Sequence, residues 1–147
     1  ETMATGLEWS ENYRLGIKGI DDQHQYLFDI VGRIAALDAL TSTKEELRQI
    51  LNELSKYMHE HFRDEEVYTK KIGFPDFEYH CKLHAEIIEF VNSSISNAPT
   101  LAMIQTKLKF IIKKALIDHI VNEDMKIKRY AASKKMECDD ECIIDLG

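Results

Sequence analysis

The sequence predicts an all-α protein, an up-down-up-down four-helix bundle with an N-terminal arm and a short C-terminal tail. Four segments carry apolar residues at steps of three and four, the period of a helix with one buried face. Most of the two prolines and six glycines lie outside these segments. Because the connections between segments are short, neighbouring helices are expected to run antiparallel.

The first helix is predicted from about Asp21 to Leu40, where Asp21 or Asp22 can cap its start. The second helix follows a break in the apolar pattern. Thr43 and Glu46 have the spacing of a capping box, in which each residue satisfies a backbone N–H of the other. The second helix is therefore expected to begin directly after Thr43.

The ends of the later helices follow from glycine, proline and threonine positions. The second helix should stop near Ile72, because Gly73 suits a left-handed position and Pro75 cannot continue the hydrogen-bond ladder. Pro75 opens the third helix, which ends before the second proline. Thr100 can cap the fourth helix, which is expected to reach about Ser133.

Length and composition predict one domain and exclude several partners. We divide the 147 residues into an arm at 1–20, a bundle at 21–134 and an acidic, cysteine-containing tail at 135–147. A net charge of -7 disfavours nucleic acid, and no apolar run is long enough to cross a membrane. No secretory segment is recognised and the three cysteines form an odd set, so we expect a monomeric, cytoplasmic protein.

Histidines supply the strongest functional signal. Five of the six continue the apolar stripe of a predicted helix, and in an antiparallel bundle all five fall at one level: His24, His61, His80, His84 and His119. A single histidine on an apolar face is usually an ordinary core residue, whereas five unpaired imidazoles in one buried layer would each cost free energy. One metal site satisfies them together. The sixth histidine is expected on the surface.

Carboxylates accompany these histidines. Glu65 lies four residues after His61, on the same helical face. On the fourth helix, ideal geometry places Glu123 beneath His119, while Asp124 lies about 140° round at roughly 100° per residue. A π-bulge would reverse that choice, so both residues remain candidates. The mixture of imidazole and carboxylate favours iron or manganese over structural zinc, and the set is too large for one ion.

These residues resemble the hemerythrin family, and the bacterial members most closely. The resemblance covers nearly the whole chain to about Tyr130 and includes Leu7-Glu-Trp9-Ser-Glu in the arm. The matching motifs are Gly19-Ile-Asp-Asp-Gln-His24, His61-Phe-Arg-Asp-Glu65-Glu66, Gly73-Phe-Pro-Asp-Phe-Glu-Tyr-His80-x-x-x-His84 and His119-Ile-Val-Asn-Glu-Asp124.

The resemblance implies two non-haem iron ions joined by an oxo or hydroxo bridge. It assigns His80, His84 and His119 to one iron, His24 and His61 to the other, and Glu65 and Asp124 as bridges. By analogy with the family, the resemblance thereby selects Asp124 rather than Glu123 as the ligand from the fourth helix. Counting these ligands leaves one open position, on the iron with two histidines. A dry pocket should cover it, formed by Leu27, Phe28, Phe62, Leu116 and Ile120.

The function that this resemblance implies is reversible binding of dioxygen for storage, delivery or sensing, without enzymatic turnover. One alternative is an oxygen or redox sensor domain cut from a larger signalling protein. The other is a di-iron enzyme acting on peroxide or nitric oxide, against which the absence of paired Glu-x-x-His motifs argues. Cys138 and Cys142 in the tail are interpreted as bystander thiols.

Overall fold

The protein is an all-α four-helix bundle in the computed structural model, which describes residues 8–137. A 3-10 turn at Glu11–Tyr13 precedes α1 (Lys18–Ala35), α2 (Lys44–Lys71) and α3 (Phe77–Ser96). The fourth bundle helix is continuous from 101 to 137 and comprises α4 (Leu101–Ile112), two π-helical segments (Lys113–Ile117 and Ile120–Asp124) and α5 (Met125–Glu137). Consecutive helices pack together and α4 packs back against α1, which closes the bundle.

The predicted caps of the second and fourth helices are confirmed. The Thr43 backbone N–H donates to Oε1 of Glu46 at 2.6 Å, and the Glu46 backbone N–H donates back to Oγ1 of Thr43 at 3.1 Å. Oγ1 of Thr100 accepts a hydrogen bond from the N–H of Met103 at 3.2 Å. Gly73 follows α2 at φ 71°, a left-handed conformation that glycine adopts without steric cost.

The predicted bounds of the first helix are wrong. This helix begins at Lys18, ahead of Asp21, and ends at Ala35 rather than at residue 40. Asp21 lies in its first turn, and its carboxylate accepts hydrogen bonds from the backbone N–H groups of Leu15 at 2.7 Å and Gly16 at 2.9 Å. The aspartate therefore fixes the preceding loop to the helix, a role that the capping rule cannot anticipate because the loop folds back onto the first turn.

We expect Asp21→Ala to lower the free energy of unfolding by about 3 kcal/mol, since hydrogen bonds to a charged group contribute roughly 1.5–3 kcal/mol each. Asp21 is only 1% exposed, so water cannot replace the lost acceptor. Asp22→Ala is the matched control, because Asp22 is exposed and its carboxylate pairs with the Lys18 ammonium at the surface, 2.7 Å away. Urea denaturation measures both variants. Equal losses would contradict this role of Asp21.

The apolar core runs along the bundle and is interrupted in the middle by a layer of buried polar residues. Buried aliphatic side chains such as Ile30, Ile34 and Leu108 fill one end, and Ile127 lies at the other. The arm covers the core near α1, where the rings of Trp9 and Tyr13 contact Phe28. Between residues 8 and 137, no helix is long and apolar enough to cross a membrane.

Candidate metal centre

Five imidazoles meet in one buried layer of the bundle, as the sequence predicts. His24 comes from α1, His61 from α2, His80 and His84 from α3, and His119 from the short stretch between the two π-helical segments. None is more than 7% exposed. The ring centres of His80, His84 and His119 lie 4.6–5.1 Å from one another, and those of His24 and His61 lie 4.5 Å apart. The layer therefore contains a group of three imidazoles and a group of two.

Glu65 lies between these two groups, fully buried. Its Oε1 is 2.9 Å from Nε2 of His80 and 2.8 Å from Nε2 of His84. Its Oε2 faces the other group, 3.8 Å from the Nε2 atoms of both His24 and His61. One carboxylate thus presents one oxygen to each group of imidazoles.

Asp124 has the same arrangement on the opposite side of the layer. Its Oδ1 is 3.0 Å from Nε2 of His80 and 3.1 Å from Nε2 of His119, while its Oδ2 is 3.3 Å from Nε2 of His24. These approaches are close, but both oxygens lack a partner with hydrogen-bond geometry among the described residues. The two carboxylates therefore connect the same two groups of imidazoles.

The π-helical segment Ile120–Asp124 decides which acidic residue of the fourth helix enters the layer. A π-turn closes over five residues instead of four, so it brings the residue five positions after His119 onto the same face. Asp124 is accordingly 0% exposed, whereas the Glu123 side chain is 21% exposed and pairs with Lys126 at 3.1 Å. Of the two candidates that periodicity left open, the structure buries Asp124.

The donor atoms fit metal ions better than they fit one another. Two overlapping sets can each hold an ion: Glu65, His80, His84, His119 and Asp124, and His24, His61 and Glu65. Within residues 8–137, buried atoms without a hydrogen-bond partner include Oε2 of Glu65, Nε2 of His119 and both carboxylate oxygens of Asp124. Since buried polar atoms are normally satisfied, these orphan atoms at the centre of the layer indicate that it is built around ions.

The neutral state of His61 supports the same interpretation. Burial lowers the pKa of His61 to about 3, with the neighbouring His24 adding to the effect, so His61 is neutral and can donate a lone pair. Burial alone would raise the pKa of Glu65, but hydrogen bonds from His80 and His84 outweigh it and lower this pKa. Burial likewise opposes the charged form of His80, yet the carboxylates of Asp124 and Glu65 raise its pKa to about 10.

Two further residues hold the imidazoles in orientation, and sequence reasoning assigned no role to either. Nδ1 of His84 lies 2.8 Å from Oε2 of Glu66, and Nδ1 of His61 lies 2.8 Å from Oε1 of Gln23. Nε2 of Gln23 in turn donates to Asp64 at 2.8 Å. Both stand in the motifs that resemble the family, next to His24 and Glu65, but adjacency in a helix is a weak signal because adjacent helical residues face different directions.

An apolar cavity of about 30 Å³ adjoins the metal layer. Of the five residues predicted to cover the oxygen position, Leu27, Phe62 and Leu116 line this cavity. The ring of Phe62 also stacks on that of His84 at 3.9 Å, which links the cavity to the imidazoles. Phe28 and Ile120 are buried, at 3% and 1% exposure, but they do not line it.

The remaining histidine and cysteines lie away from the layer or beyond the described residues. His59 is exposed, and its Nδ1 lies 2.8 Å from the carbonyl oxygen of Ser55, as expected for a surface residue. Burial raises the pKa of Cys81 to about 11, with Glu66 adding to the effect, so Cys81 is a neutral thiol. Cys138 and Cys142 fall outside residues 8–137.

A family model matches the part of the chain that builds this layer. Residues 15–131 match the model described as "Hemerythrin HHE cation binding domain". The chain belongs to the hemerythrin family. The match covers all five imidazoles and both carboxylates of the buried layer, which confirms the resemblance drawn from the sequence motifs.

Similar proteins come from bacteria and eukaryotes. The chain is 31% identical to a bacteriohemerythrin of Campylobacter jejuni over 116 residues, which cover 78% of this chain and 87% of the relative. It is 26% identical to a myohemerythrin of Theromyzon tessulatum, over 82% of this chain and 90% of the relative. A hemerythrin-like protein of Naegleria gruberi is 27% identical, over 86% and 95% of the two chains.

Membership of this hemerythrin family implies a non-haem di-iron centre that binds dioxygen. Proteins of the family are oxygen binders rather than enzymes. The buried layer of imidazoles and carboxylates is of the right chemistry and size for such a centre.

Proposed function

We propose that this chain holds two iron ions at the seven-residue layer and binds dioxygen reversibly, for storage, delivery or sensing. In this proposal His80, His84 and His119 hold one iron, and His24 and His61 hold the other. Glu65 and Asp124 bridge the two ions, with an oxo or hydroxo group completing the bridge. The bound iron pair supplies the two electrons that the reversible binding of one oxygen molecule requires.

The observation that carries this proposal is the position of the two carboxylates. Each directs one oxygen towards the group of three imidazoles and the other towards the group of two. A carboxylate that binds a single ion does not need to direct its two oxygens towards two different groups of ligands. Two carboxylates with the same division, on opposite sides of one layer, fit a pair of adjacent ions.

The protein residues hold the ligand atoms in place before any ion binds. Glu66 and Gln23 accept hydrogen bonds from the Nδ1 atoms of His84 and His61, which leaves the Nε2 atom of each ring as the ligand. The bundle supplies these ligands from four different helical segments, all packed around an apolar core. The geometry is therefore rigid, and binding needs little rearrangement.

The apolar cavity gives oxygen a place from which water is excluded. Leu27, Phe62 and Leu116 line it, and the cavity carries almost no polar surface that could hold an ordered water molecule. These side chains would keep water and protons away from the oxygen position, which would protect a bound iron pair from oxidation. This supports reversible binding rather than turnover.

The proposal is tested by reducing the iron-loaded protein without oxygen, then adding oxygen and following the visible spectrum. Reversible binding predicts two irons per chain and a charge-transfer band that appears with oxygen and disappears under argon. A spectrum that collapses at once to the oxidised, ligand-free form would favour a sensor. Oxygen, peroxide or nitric oxide consumption over many cycles would identify an enzyme instead.

We expect Leu116→Ala to accelerate oxidation of the oxygen-bound form by about tenfold, a typical effect of altering the surroundings of a metal site. The smaller side chain enlarges the cavity that Leu116 lines and lets water approach. Leu108→Ala is the matched control, because Leu108 is also buried in the fourth bundle helix but does not line the cavity. Stopped-flow spectroscopy compares them. Equal oxidation rates for the two variants would count against the role of Leu116.

We further propose that the protein acts as a cytoplasmic monomer, with an arm at 1–20, a bundle at 21–134 and a tail at 135–147. The odd set of three cysteines supports a reduced compartment. Sedimentation analysis of the iron-loaded chain tests the oligomeric state, and a dimer would contradict the proposal.

A further inference from the structure

The two groups of imidazoles differ in the charge of the residues behind them. On the three-histidine side, Nδ1 of His84 lies 2.8 Å from a carboxylate oxygen of Glu66. On the two-histidine side, Nδ1 of His61 lies 2.8 Å from the amide oxygen of Gln23, which carries no charge. Nδ1 of His24, the other imidazole on that side, lacks a hydrogen-bond partner among residues 8–137.

This difference changes how strongly each imidazole donates to an ion. When Nε2 binds a metal, the ring proton resides on Nδ1 and is donated to the residue behind it. A carboxylate acceptor draws that proton more strongly than an amide does, which makes the imidazole a stronger donor. Stronger donors stabilise the higher oxidation state of iron. The ion beside His84 is therefore harder to reduce than the ion beside His61.

We propose that Glu66 is a positioning residue that sets the order in which the two iron sites accept electrons, so that the two-histidine site is reduced first. This inference rests on the proposed function, because it assumes the two iron sites assigned above. Each step adds one electron from an external reductant to one iron and breaks no bond within the protein. Glu66 acts only through His84 and touches neither ion site directly.

The surroundings of Glu66 screen its negative charge only in part. Its side chain is 31% exposed, so water screens part of the charge. The Cys81 thiol also lies against this carboxylate, and it adds no charge because it is neutral. Behind the two-histidine group, Asp64 contacts Gln23 rather than an imidazole and acts one hydrogen bond further away.

The experiment compares three charge changes by redox titration of the iron-loaded chain. Glu66→Gln removes the carboxylate but keeps an acceptor of the same shape. Gln23→Glu places a carboxylate behind His61. Glu45→Gln is the control, since it removes one negative charge from the exposed start of α2, far along the helix from the site. Iron content and helicity are measured for each variant before titration.

We expect Glu66→Gln to narrow the separation between the two one-electron steps by at least tenfold in equilibrium constant, which corresponds to about 59 mV. Gln23→Glu lowers the potential of the two-histidine site, which is reduced first in the natural chain. The two potentials therefore also move closer together, because the higher one falls. Glu45→Gln leaves both steps unchanged. If Glu66→Gln shifts neither step by more than the control does, the proposal is overturned.

A second measurement does not depend on iron. In the zinc-loaded protein, which is diamagnetic, the Nδ1 proton of His84 should resonate further downfield than that of His61 and move upfield in Glu66→Gln. Two indistinguishable resonances in the natural chain would overturn the difference in hydrogen bonding. A natural chain that binds no iron overturns the proposed function together with this inference, whereas normal iron loading with unaltered potentials overturns this inference alone.

Discussion

Asp124→Ala is expected to reduce bound iron from two ions per chain to fewer than one. The carboxylate faces both groups of imidazoles, so its loss removes a donor from each site at once. Both of its oxygens also lack a hydrogen-bond partner within residues 8–137, which indicates that they serve the ions rather than the fold. Elemental analysis of the purified protein after anaerobic iron loading measures the change.

Glu123→Ala provides the matched control, because it alters the adjacent residue of the same π-turn. Glu123 pairs with Lys126 near the surface, and its removal should leave the iron content unchanged. Asp124→Asn keeps the side-chain volume while removing the charge, and it should also lose iron. Full iron loading of Asp124→Ala, or equal loss in Glu123→Ala, would show that the bridging assignment is wrong.

Removal of the metal is expected to lower the melting temperature by more than about 10 °C. Each buried polar atom left without a partner costs roughly 1–3 kcal/mol, and 1 kcal/mol corresponds to roughly 2–4 °C in a domain of this size. Oxygens of Glu65 and Asp124 and Nε2 of His119 are in this position. Thermal unfolding followed by circular dichroism, with and without a chelator, measures the difference.

The variant with reduced iron loading controls for effects of the chelator itself. Asp124→Ala should show a much smaller change in melting temperature on adding chelator than the natural chain, because it holds fewer than one ion per chain. The natural chain should recover its higher melting temperature when iron is restored under reducing conditions. Coincident melting curves for the loaded and metal-free natural chain would mean that the ions contribute nothing to stability.

The helices were predictable because their signals are local. A helix cap depends only on residues a few positions away in the sequence. The structure confirms both the capping box of Thr43 and Glu46 and the left-handed conformation of Gly73. The first helix was misplaced because Asp21 bonds to Leu15 and Gly16 in a loop that precedes it. The sequence shows a good capping residue there but not which backbone groups fold back to meet it.

The histidine layer was predictable for a different reason. In an antiparallel bundle with short connections, the distance of a residue from its helix end gives its level, and apolar periodicity gives its face. Those two quantities brought five imidazoles together without any knowledge of helix packing. The family motifs then supplied their division between two ions, which remains a prediction about this chain.

By itself the sequence determined the helix class, the level of the five imidazoles and the carboxylate Glu65, because each depends on spacing within one helix. The family resemblance selected Asp124 by analogy, but only the tertiary structure shows the π-turn that carries it into the layer, and it alone sets Glu66 and Gln23 behind the imidazoles. A π-turn is stabilised by what it packs against, and a hydrogen bond between two helices depends on their relative rotation. The periodicity of a single helix contains neither the packing around a π-turn nor the relative rotation of two helices. Only the packed bundle could therefore decide where these side chains lie.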